Sequence, residues 1–349
     1  MLRSLFYVFL IWAQGPIYTQ AQVNLTPCTS TPIPSSLRGI AAVSKSICWV
    51  SGSEGAVFKT LDGGQSWVDC SPLGYGELQF RDIHAFGKDT VMIISAGLPA
   101  VICKTTNGGK SWRTVYKNQT EGVFFDAFDF WSPKRGIAFS DASAHRLLII
   151  KTTDGGETWQ ELDSINSPKV HPKQGGFAAS GSCLQTYGDS TVAIGVGGTS
   201  ASVFISHNAG NSWLEVDSKL HFGPASAGVF SLYFAASNVL LAVGGDYTDD
   251  YASERSFSIL ARNGENWRVL NNVQAEHKYL SSVVAINLKQ IIAVGRFGGL
   301  FSQTGGNSWQ PLNGAYYALS LAADGSLWTS GPKGTVAKIS YPVLSKIEE

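Results

Sequence analysis

Short apolar runs separated by polar, glycine-rich turns fill the chain from about residue 37 onward. Runs of roughly four to eight residues between turn signals are typical of β-strands. The runs recur in seven similar units, and each unit is predicted to contain four strands. The predicted inner strands, which open the units, lie at 37–43, 81–86, 125–131, 182–188, 229–235, 280–286 and 317–323.

Six turns that end in tryptophan follow the third predicted strand of the first six units. Five of them share one spacing, and the sixth is one residue shorter. Each opens with a short polar side chain that can accept backbone N–H bonds, and glycines then allow a tight hairpin. The pattern resembles the Asp-box, or BNR repeat, with Thr304 in place of the acidic residue in the last copy. The copies are TLDGGQSW (60–67), TTNGGKSW (105–112), TTDGGETW (152–159), SHNAGNSW (206–213), ARNGENW (261–267) and SQTGGNSW (302–309).

Repetition at this period predicts a ring of small sheets, in which each sheet packs only on its neighbours. We therefore predict an all-β fold, a seven-bladed β-propeller of four-stranded antiparallel blades, formed as one domain by residues 22–349. Six or eight blades are the alternatives. The seventh unit has no Asp-box, so its outer strand is expected from residues 22–34. That pairing would close the ring and remove an exposed edge.

The first residues predict export. Arg3 precedes an apolar run at 5–13 that is too short to span a bilayer, and small and polar residues follow it. We interpret residues 1–21 as a cleaved signal peptide, with an uncleaved anchor as the alternative. The expected location is secreted or periplasmic, with no membrane span after signal removal.

Composition narrows the possible partners and cofactors. The formal net charge is zero and no basic run is present, which disfavours nucleic acid. No cysteine or histidine spacing fits a metal site, and no glycine-rich stretch opens a helix as a dinucleotide fingerprint would. We expect a monomer without metal or cofactor. Cys48, Cys103 and Cys183 are expected as buried thiols, while one disulfide among Cys28, Cys48 and Cys70 stays open.

Strand order predicts which residues share a face. Asp-box turns join strands three and four, whereas the long insertions at 163–181 and 244–256 fall on the opposite, loop-rich face. Long loops on one rim of a rigid scaffold are typical of a working surface. Aromatic rings at Phe125, Phe177 and Phe297 would add stacking surfaces there. Polar residues at the channel mouth would bind a ligand or, as the alternative, form ion pairs and hydrogen bonds that lock the blades together. The polar residues predicted at the channel mouth are Arg38, Glu54, Arg81, Asp126, Asp141, Ser180, Asp246, Tyr247 and Arg296.

The segment 38–67 resembles the repeat unit of the photosystem II stability/assembly factor-like proteins. The resemblance implies an exported or lumenal seven-bladed propeller that acts as a non-catalytic assembly factor. Those proteins use a basic patch, whereas the mouth predicted here mixes arginines with acids. The photosynthetic partner is therefore not carried over to this chain.

Two functions follow from the sequence. The first is a scaffold that binds a protein or glycan through its loop-rich face without catalysis. The alternative is a carbohydrate-active enzyme, either sialidase-like or another glycoside hydrolase or lyase. Arg38, Arg81 and Arg296 would then clamp a substrate carboxylate, and Asp126 or Asp141 would oppose Asp246. Arg38 lies in SLRGI, which lacks the Arg-Ile-Pro signature of sialidases. Catalytic residues are left unassigned.

Overall fold

The computed structural model describes residues 23–143, 145–249, 255–271 and 278–342. The predicted signal peptide and residues 250–254 of the second insertion lie outside the described residues. Within these ranges the chain forms 28 strands and two short 3₁₀ turns, Ser164–Asn166 and Pro332–Gly334. The strands are β1 Asn24–Pro27, β2 Leu37–Ala42, β3 Cys48–Gly52, β4 Val57–Thr60, β5 Val68–Asp69, β6 Gln79–Ala85, β7 Val91–Ala96, β8 Ala100–Thr105, β9 Arg113–Asn118, β10 Phe125–Phe130, β11 Gly136–Ser143, β12 Arg146–Thr152, β13 Gln160–Glu161, β14 Leu184–Tyr187, β15 Thr191–Val196, β16 Ser202–Ser206, β17 Leu214–Asp217, β18 Ala227–Ala236, β19 Val239–Asp246, β20 Phe257–Asn263, β21 Asn266–Asn271, β22 Ser282–Ala285, β23 Ile291–Gly295, β24 Gly298–Ser302, β25 Gln310–Leu312, β26 Ala318–Leu321, β27 Leu327–Ser330 and β28 Val336–Ser340.

The strands form seven four-stranded antiparallel sheets, which confirms the predicted propeller. Blades one to six each use four consecutive strands, from β2–β5 through β22–β25. The seventh blade has the order β26, β27, β28 and β1, because the N-terminal strand pairs with the C-terminal one from Asn24↔Ser340 to Pro27↔Ala337. The expected closure by the segment 22–34 is confirmed.

The five Asp-box turns of equal spacing are held by the short polar side chain at their third position. Asp154 Oδ1 accepts the backbone N–H groups of Glu157 and Thr158, both at 3.0 Å. Its Oδ2 accepts the Thr158 hydroxyl at 2.6 Å, and Thr152 Oγ1 accepts the Gly156 N–H at 2.8 Å. Thr304 performs the same task with a hydroxyl, since its Oγ1 accepts the Ser308 N–H at 2.8 Å. A hydroxyl is therefore sufficient for the turn.

Apolar side chains fill the junctions between blades. The cluster between the first two blades contains Trp49, Ile83, Val91 and Cys103, all buried. Burying a ring as large as that of Trp49 stabilises the fold by a few kcal/mol, about 2–3. All five cysteines are free thiols, and Cys48, Cys103 and Cys183 are buried as expected. No helix in the described residues is long and apolar enough to cross a bilayer.

Hydrogen bonds between inner strands join most neighbouring blades. In each, an inner-strand side chain of one blade accepts a backbone N–H of the next blade's inner strand. Between the first two blades, Gly39 packs against the backbone of Asp82 instead. The acceptor and donor pairs are Asp82 and Phe128 (2.9 Å), Asp129 and Thr186 (2.8 Å), Gln185 and Phe234, Ser231 and Val283 (3.1 Å), Ser282 and Leu319 (3.0 Å), and Ser320 and Ala42 (2.9 Å).

Replacing Asp154 tests the Asp-box turn. Burial acts to raise its pKa, but hydrogen bonds from Thr158, Thr152 and Glu157 outweigh this and lower the pKa to about 2. The stability that the charged form contributes is therefore present above its ordinary pKa near 4 and is lost as the pH falls through about 2. Asp154→Ala is expected to destabilise the protein by about 1 kcal/mol at pH 7, measured by denaturant unfolding.

Asp154→Asn is the matched control, because Asn107 accepts the Ser111 N–H at 3.0 Å in the second blade. The Asn variant should keep most of the stability at pH 7. Its deficit relative to the wild type should vanish between pH 4 and pH 2. An Ala variant as stable as the wild type at pH 7 would show that the turn holds without this side chain.

Candidate functional site

The connection between β13 and β14 crosses the loop-rich mouth of the channel. We call residues 175–181 of this connection the strap. Gly175 and Gly197 exchange two backbone hydrogen bonds of 3.0 and 2.9 Å, and the Gly176 N–H donates to Asp141 Oδ1 at 2.8 Å. At the other end, Ser180 Oγ donates to the Ser281 carbonyl oxygen at 2.6 Å. The strap therefore spans from the third and fourth blades to the sixth.

A cavity of about 290 Å³ lies against the strap. We call it the mouth cavity. Three arginines from three different blades and four aromatic rings surround it, and the strap supplies part of its wall. Its lining residues are Arg38, Arg81, Phe177, Ala178, Ala179, Phe230, Tyr247, Tyr279 and Arg296.

A repeated β-bulge positions several of these side chains. In four blades the pairing of the inner strand with the second strand skips one residue near its start. A bulge leaves that extra residue unpaired and re-aims its side chain. The skipped residues are Arg38, Arg81, Asp126 and Phe230. The same backbone feature therefore places Arg38, Arg81 and Asp126 at equivalent positions of the first three blades.

The three guanidinium groups are held in defined orientations. Arg38 Nη1 donates to the Ala179 carbonyl oxygen at 3.0 Å, and the group lies 4.3 Å from the Tyr317 ring centroid. Arg81 donates through Nε and Nη2 to Gln79 Oε1 at 2.9 and 2.5 Å, and through Nη1 to the Ala178 carbonyl oxygen at 3.4 Å.

Cation–π contacts position the third guanidinium group, and burial lowers the pKa of Arg81. The Arg296 guanidinium lies 4.5 Å from the Phe297 ring centroid and 5.5 Å from that of Tyr279. Burial, helped by the neighbouring charge of Arg38, lowers the pKa of Arg81 to about 10, so Arg81 is still charged at neutral pH. The mouth cavity therefore presents three positive charges.

Aromatic rings form one side of the mouth cavity. Phe177 of the strap lies on Phe230 with ring centroids 4.3 Å apart, and Tyr247 meets both rings nearly at right angles. Two glycines make room for Phe177, because a Cβ on Gly197 or Gly228 would lie 2.6 or 2.9 Å from its ring. We call Phe177, Phe230 and Tyr247 the aromatic shelf.

The sequence identified only part of this aromatic set. Phe177 and Tyr247 were expected at the mouth, and Phe297 lies beside Arg296 as a stacking surface. Phe230 and Tyr279 were missed, although Phe230 occupies the same bulge position on its inner strand as Arg38 and Arg81 do on theirs. Phe125 was wrong as a stacking surface: it is 1% exposed and packs edge-on against Tyr116 in the core.

The predicted acids do not line the mouth cavity. Asp126 is 1% exposed and lies beneath the strap, where a Cβ on Gly176 would come within 2.4 Å of its Oδ2. Neither of its oxygens accepts a hydrogen bond of good geometry, although the Ala178 N–H lies near enough to favour the charged form. Burial and the charge of Asp141 raise the pKa of Asp126 well above its ordinary value.

The remaining predicted polar residues have other local roles. Asp141 holds the Gly176 N–H and borders a second cavity of about 560 Å³ beside the strap. Asp246 accepts the N–H and hydroxyl of Thr248 at 2.8 and 2.7 Å and so caps its own turn. Ser180 is buried in the strap, and Glu54 is exposed in the β3–β4 hairpin.

The mouth cavity therefore contains four of the nine predicted residues, Arg38, Arg81, Tyr247 and Arg296. The expected opposition of Asp126 or Asp141 to Asp246 across an open mouth is wrong, because the strap covers Asp126 and engages Asp141. No cluster of three potential metal ligands occurs among the described residues. The arrangement can bind an anionic group beside a flat or apolar one.

Comparison with known proteins agrees with this architecture. The family model described as photosynthesis system II assembly factor YCF48 matches residues 20–122, which span the first two blades. A comparison with curated protein sequences finds no match. The resemblance to the photosystem II assembly factor-like proteins is confirmed for that part of the sequence, and for the fold by the structures that follow.

Three solved structures share the fold. YCF48 bound to a D1 peptide is 15% identical, with 96% of this chain and 99% of that chain covered and a TM-score of 0.64. YCF48 from Cyanidioschyzon merolae is 14% identical, with 91% and 98% covered and a TM-score of 0.63. A streptogramin B lyase is 12% identical, with 92% and 98% covered and a TM-score of 0.64. At these identities the likeness shows the fold alone.

Asp126→Asn tests the buried acid under the strap. Because the folded state raises the pKa of Asp126, its contribution is most favourable below its ordinary pKa and is lost as the pH rises through the raised value. Asn cannot ionise, so we expect the variant to have a higher Tm than the wild type at pH 8. The difference should shrink towards pH 4, as measured by thermal unfolding across that range.

Asp246→Asn is the control of opposite sign. Burial acts to raise the pKa of Asp246, but hydrogen bonds from Ser226 and Thr248 lower it below its ordinary value. Its charged form is thus stabilising above that value, and the Asn variant should have a lower Tm at pH 8. Equal behaviour of the two variants would contradict the contrast between their environments.

Proposed function

We propose that the protein is an exported scaffold that binds a segment of a partner protein in the mouth cavity, without catalysing a reaction. The single observation that carries this proposal is the convergence of Arg38, Arg81 and Arg296 on one cavity with an aromatic shelf. Guanidinium groups bind carboxylates through paired, charge-assisted hydrogen bonds. Aromatic rings that are already in place bind a flat or apolar neighbour at low entropic cost.

The size of the mouth cavity favours a local contact with a larger ligand. A volume of about 290 Å³ is near the lower limit of small-molecule sites. One acidic group and an adjacent ring fit such a volume, and the rest of a polypeptide can lie across the loop-rich face. One of the similar structures is YCF48 bound to a D1 peptide, which supports a peptide ligand for this fold. It does not identify the partner of this chain.

Peptide selection tests the proposal directly. Wild-type protein is used to select from a displayed library of random peptides with free C-termini. We expect enriched peptides that combine a carboxylate with an aromatic or apolar neighbour. Arg81→Glu should weaken their binding at least tenfold, about 1.4 kcal/mol, because it places a negative charge in the mouth cavity. Tyr247→Ala should weaken it less, through loss of the aromatic shelf.

Arg268→Glu is the matched control, since Arg268 is exposed on β21, the outer strand of the fifth blade. Peptides that bind equally to wild type and Arg81→Glu would refute the proposed site.

Glycan arrays provide a second comparison. Selective binding of acidic sugars would indicate that the ligand is a glycan and not a protein segment. Turnover of any glycan that is abolished in Asp126→Asn or Asp246→Asn would favour the enzyme instead.

Export is part of the proposal and rests on the first residues of the sequence. The protein is expressed in full in a bacterial host with an intact secretion pathway, and its mature N-terminus is sequenced. We expect a start near residue 22 and recovery outside the cytoplasm. A recovered chain that retains its apolar run at 5–13 would instead support an uncleaved anchor.

A further inference from the structure

We infer that the strap is the specificity-determining element of the mouth cavity, because it orients two of the three arginines towards the ligand. The inference rests on the proposed binding function and adds the part of the chain that creates its preference for a carboxylate. An open channel would leave the arginines on the separate rims of the blades. The strap brings the backbone of Ala178 and Ala179 against two of them and forms part of the wall of the mouth cavity.

The first step is the pair of contacts between strap and arginines. The carbonyl oxygens of Ala178 and Ala179 accept from Arg81 and Arg38, at 3.4 and 3.0 Å. These carbonyls belong to the fourth blade's connection, whereas the arginines belong to the second and first blades. Long, flexible arginine side chains bind anions more tightly when their orientation is fixed beforehand. The strap supplies part of that fixation, together with Gln79 for Arg81 and Tyr317 for Arg38.

The second step is the close packing of the strap against two buried acids. Gly176 lies directly on Asp126, and Gly181 lies on Asp82, whose carboxylate would be 2.2 Å from an added Cβ. Only residues without a side chain can approach so closely. Gly181 also has a φ of +71°, in the left-handed region that favours glycine. The position of the strap against these acids therefore depends on glycine at both sites.

The third step concerns the charge that the ligand meets. Asp126 lies beneath the strap, near Arg81, and the surrounding burial favours its neutral form. The acid therefore offsets less of the Arg81 charge than an exposed carboxylate would. Gly176 of the strap covers this acid, and none of the acidic residues that the structure describes lines the mouth cavity, so a ligand there meets the arginines, the rings and the strap at Ala178 and Ala179. A carboxylate is then preferred over a neutral group of the same shape.

Benzoate and benzamide are the probes, because they share size and ring but differ in charge. Their dissociation constants are measured by NMR titration for the wild type and for Gly176→Ala. Gly176 does not have a positive φ, so the added methyl group acts only by lifting the strap from Asp126 and Phe139. We expect the preference for benzoate over benzamide to fall at least fivefold. A purely structural role would weaken both probes equally.

Gly76→Ala is the matched control. Gly76 lies in the connection between the first two blades, has no neighbouring atom within 4 Å of an added Cβ and does not have a positive φ. This variant should keep the wild-type preference. If Gly176→Ala retains the preference, or binds benzoate more tightly, the inference is overturned; tighter binding would mean that the strap competes with the ligand.

Hydrogen exchange of the strap gives a readout that needs no ligand. Removing Arg38 and Arg81 together, as Arg38→Ala/Arg81→Ala, should speed amide exchange in peptides that cover 170–182 and leave the Asp-box hairpin at 152–159 unchanged. Unaltered strap exchange would overturn the inference even if benzoate binds. A different outcome separates the two proposals. If the wild type binds neither benzoate nor any selected peptide, but the strap exchanges faster in the double variant, the proposed function is overturned and the coupling of strap and arginines stands.

Discussion

The hydrogen bond from one blade's inner strand to the next is the interaction on which this molecule depends. A propeller has no single core, so its blades must be kept in register by contacts at each junction. Asp82, Ser231 and Ser320 each accept an N–H from the following blade, although their side chains differ in size and charge. Backbone geometry therefore sets the junction, and any side-chain acceptor of suitable reach can serve there, including the longer Gln185.

This constraint also determines where functional side chains can lie. In six of the seven blades, one inner-strand side chain is occupied by a hydrogen bond to the next blade. The bulges at the loop-rich ends release one residue in four of the blades, and three of these released residues are Arg38, Arg81 and Phe230. The mouth cavity is thus assembled from positions that the junctions do not use.

The sequence predicted the propeller because its signals are local and repeated. Asp-box turns such as 152–159 and apolar runs such as 37–43 depend only on neighbouring residues, and closure by the segment 22–34 followed from counting strands. The placement of Arg38 and Arg81 at the mouth was also accessible, since both lie near the start of an inner strand, and Arg296 was placed there because it follows the second strand of the sixth blade. The path of the strap was not accessible, because a glycine-rich connection has no periodicity. Asp126 was therefore assigned to an open mouth when a glycine in fact covers it.

Pairing of β1 with β28 has a consequence for how the protein acquires its structure. The first strand of the ring has no partner until the last one has been synthesised, so six blades can form in order while the seventh stays incomplete. Completion of the circle is then a late event that requires both ends of the same polypeptide. A chain that is truncated near its C-terminus would expose unpaired strand edges, which quality-control proteases and chaperones can recognise.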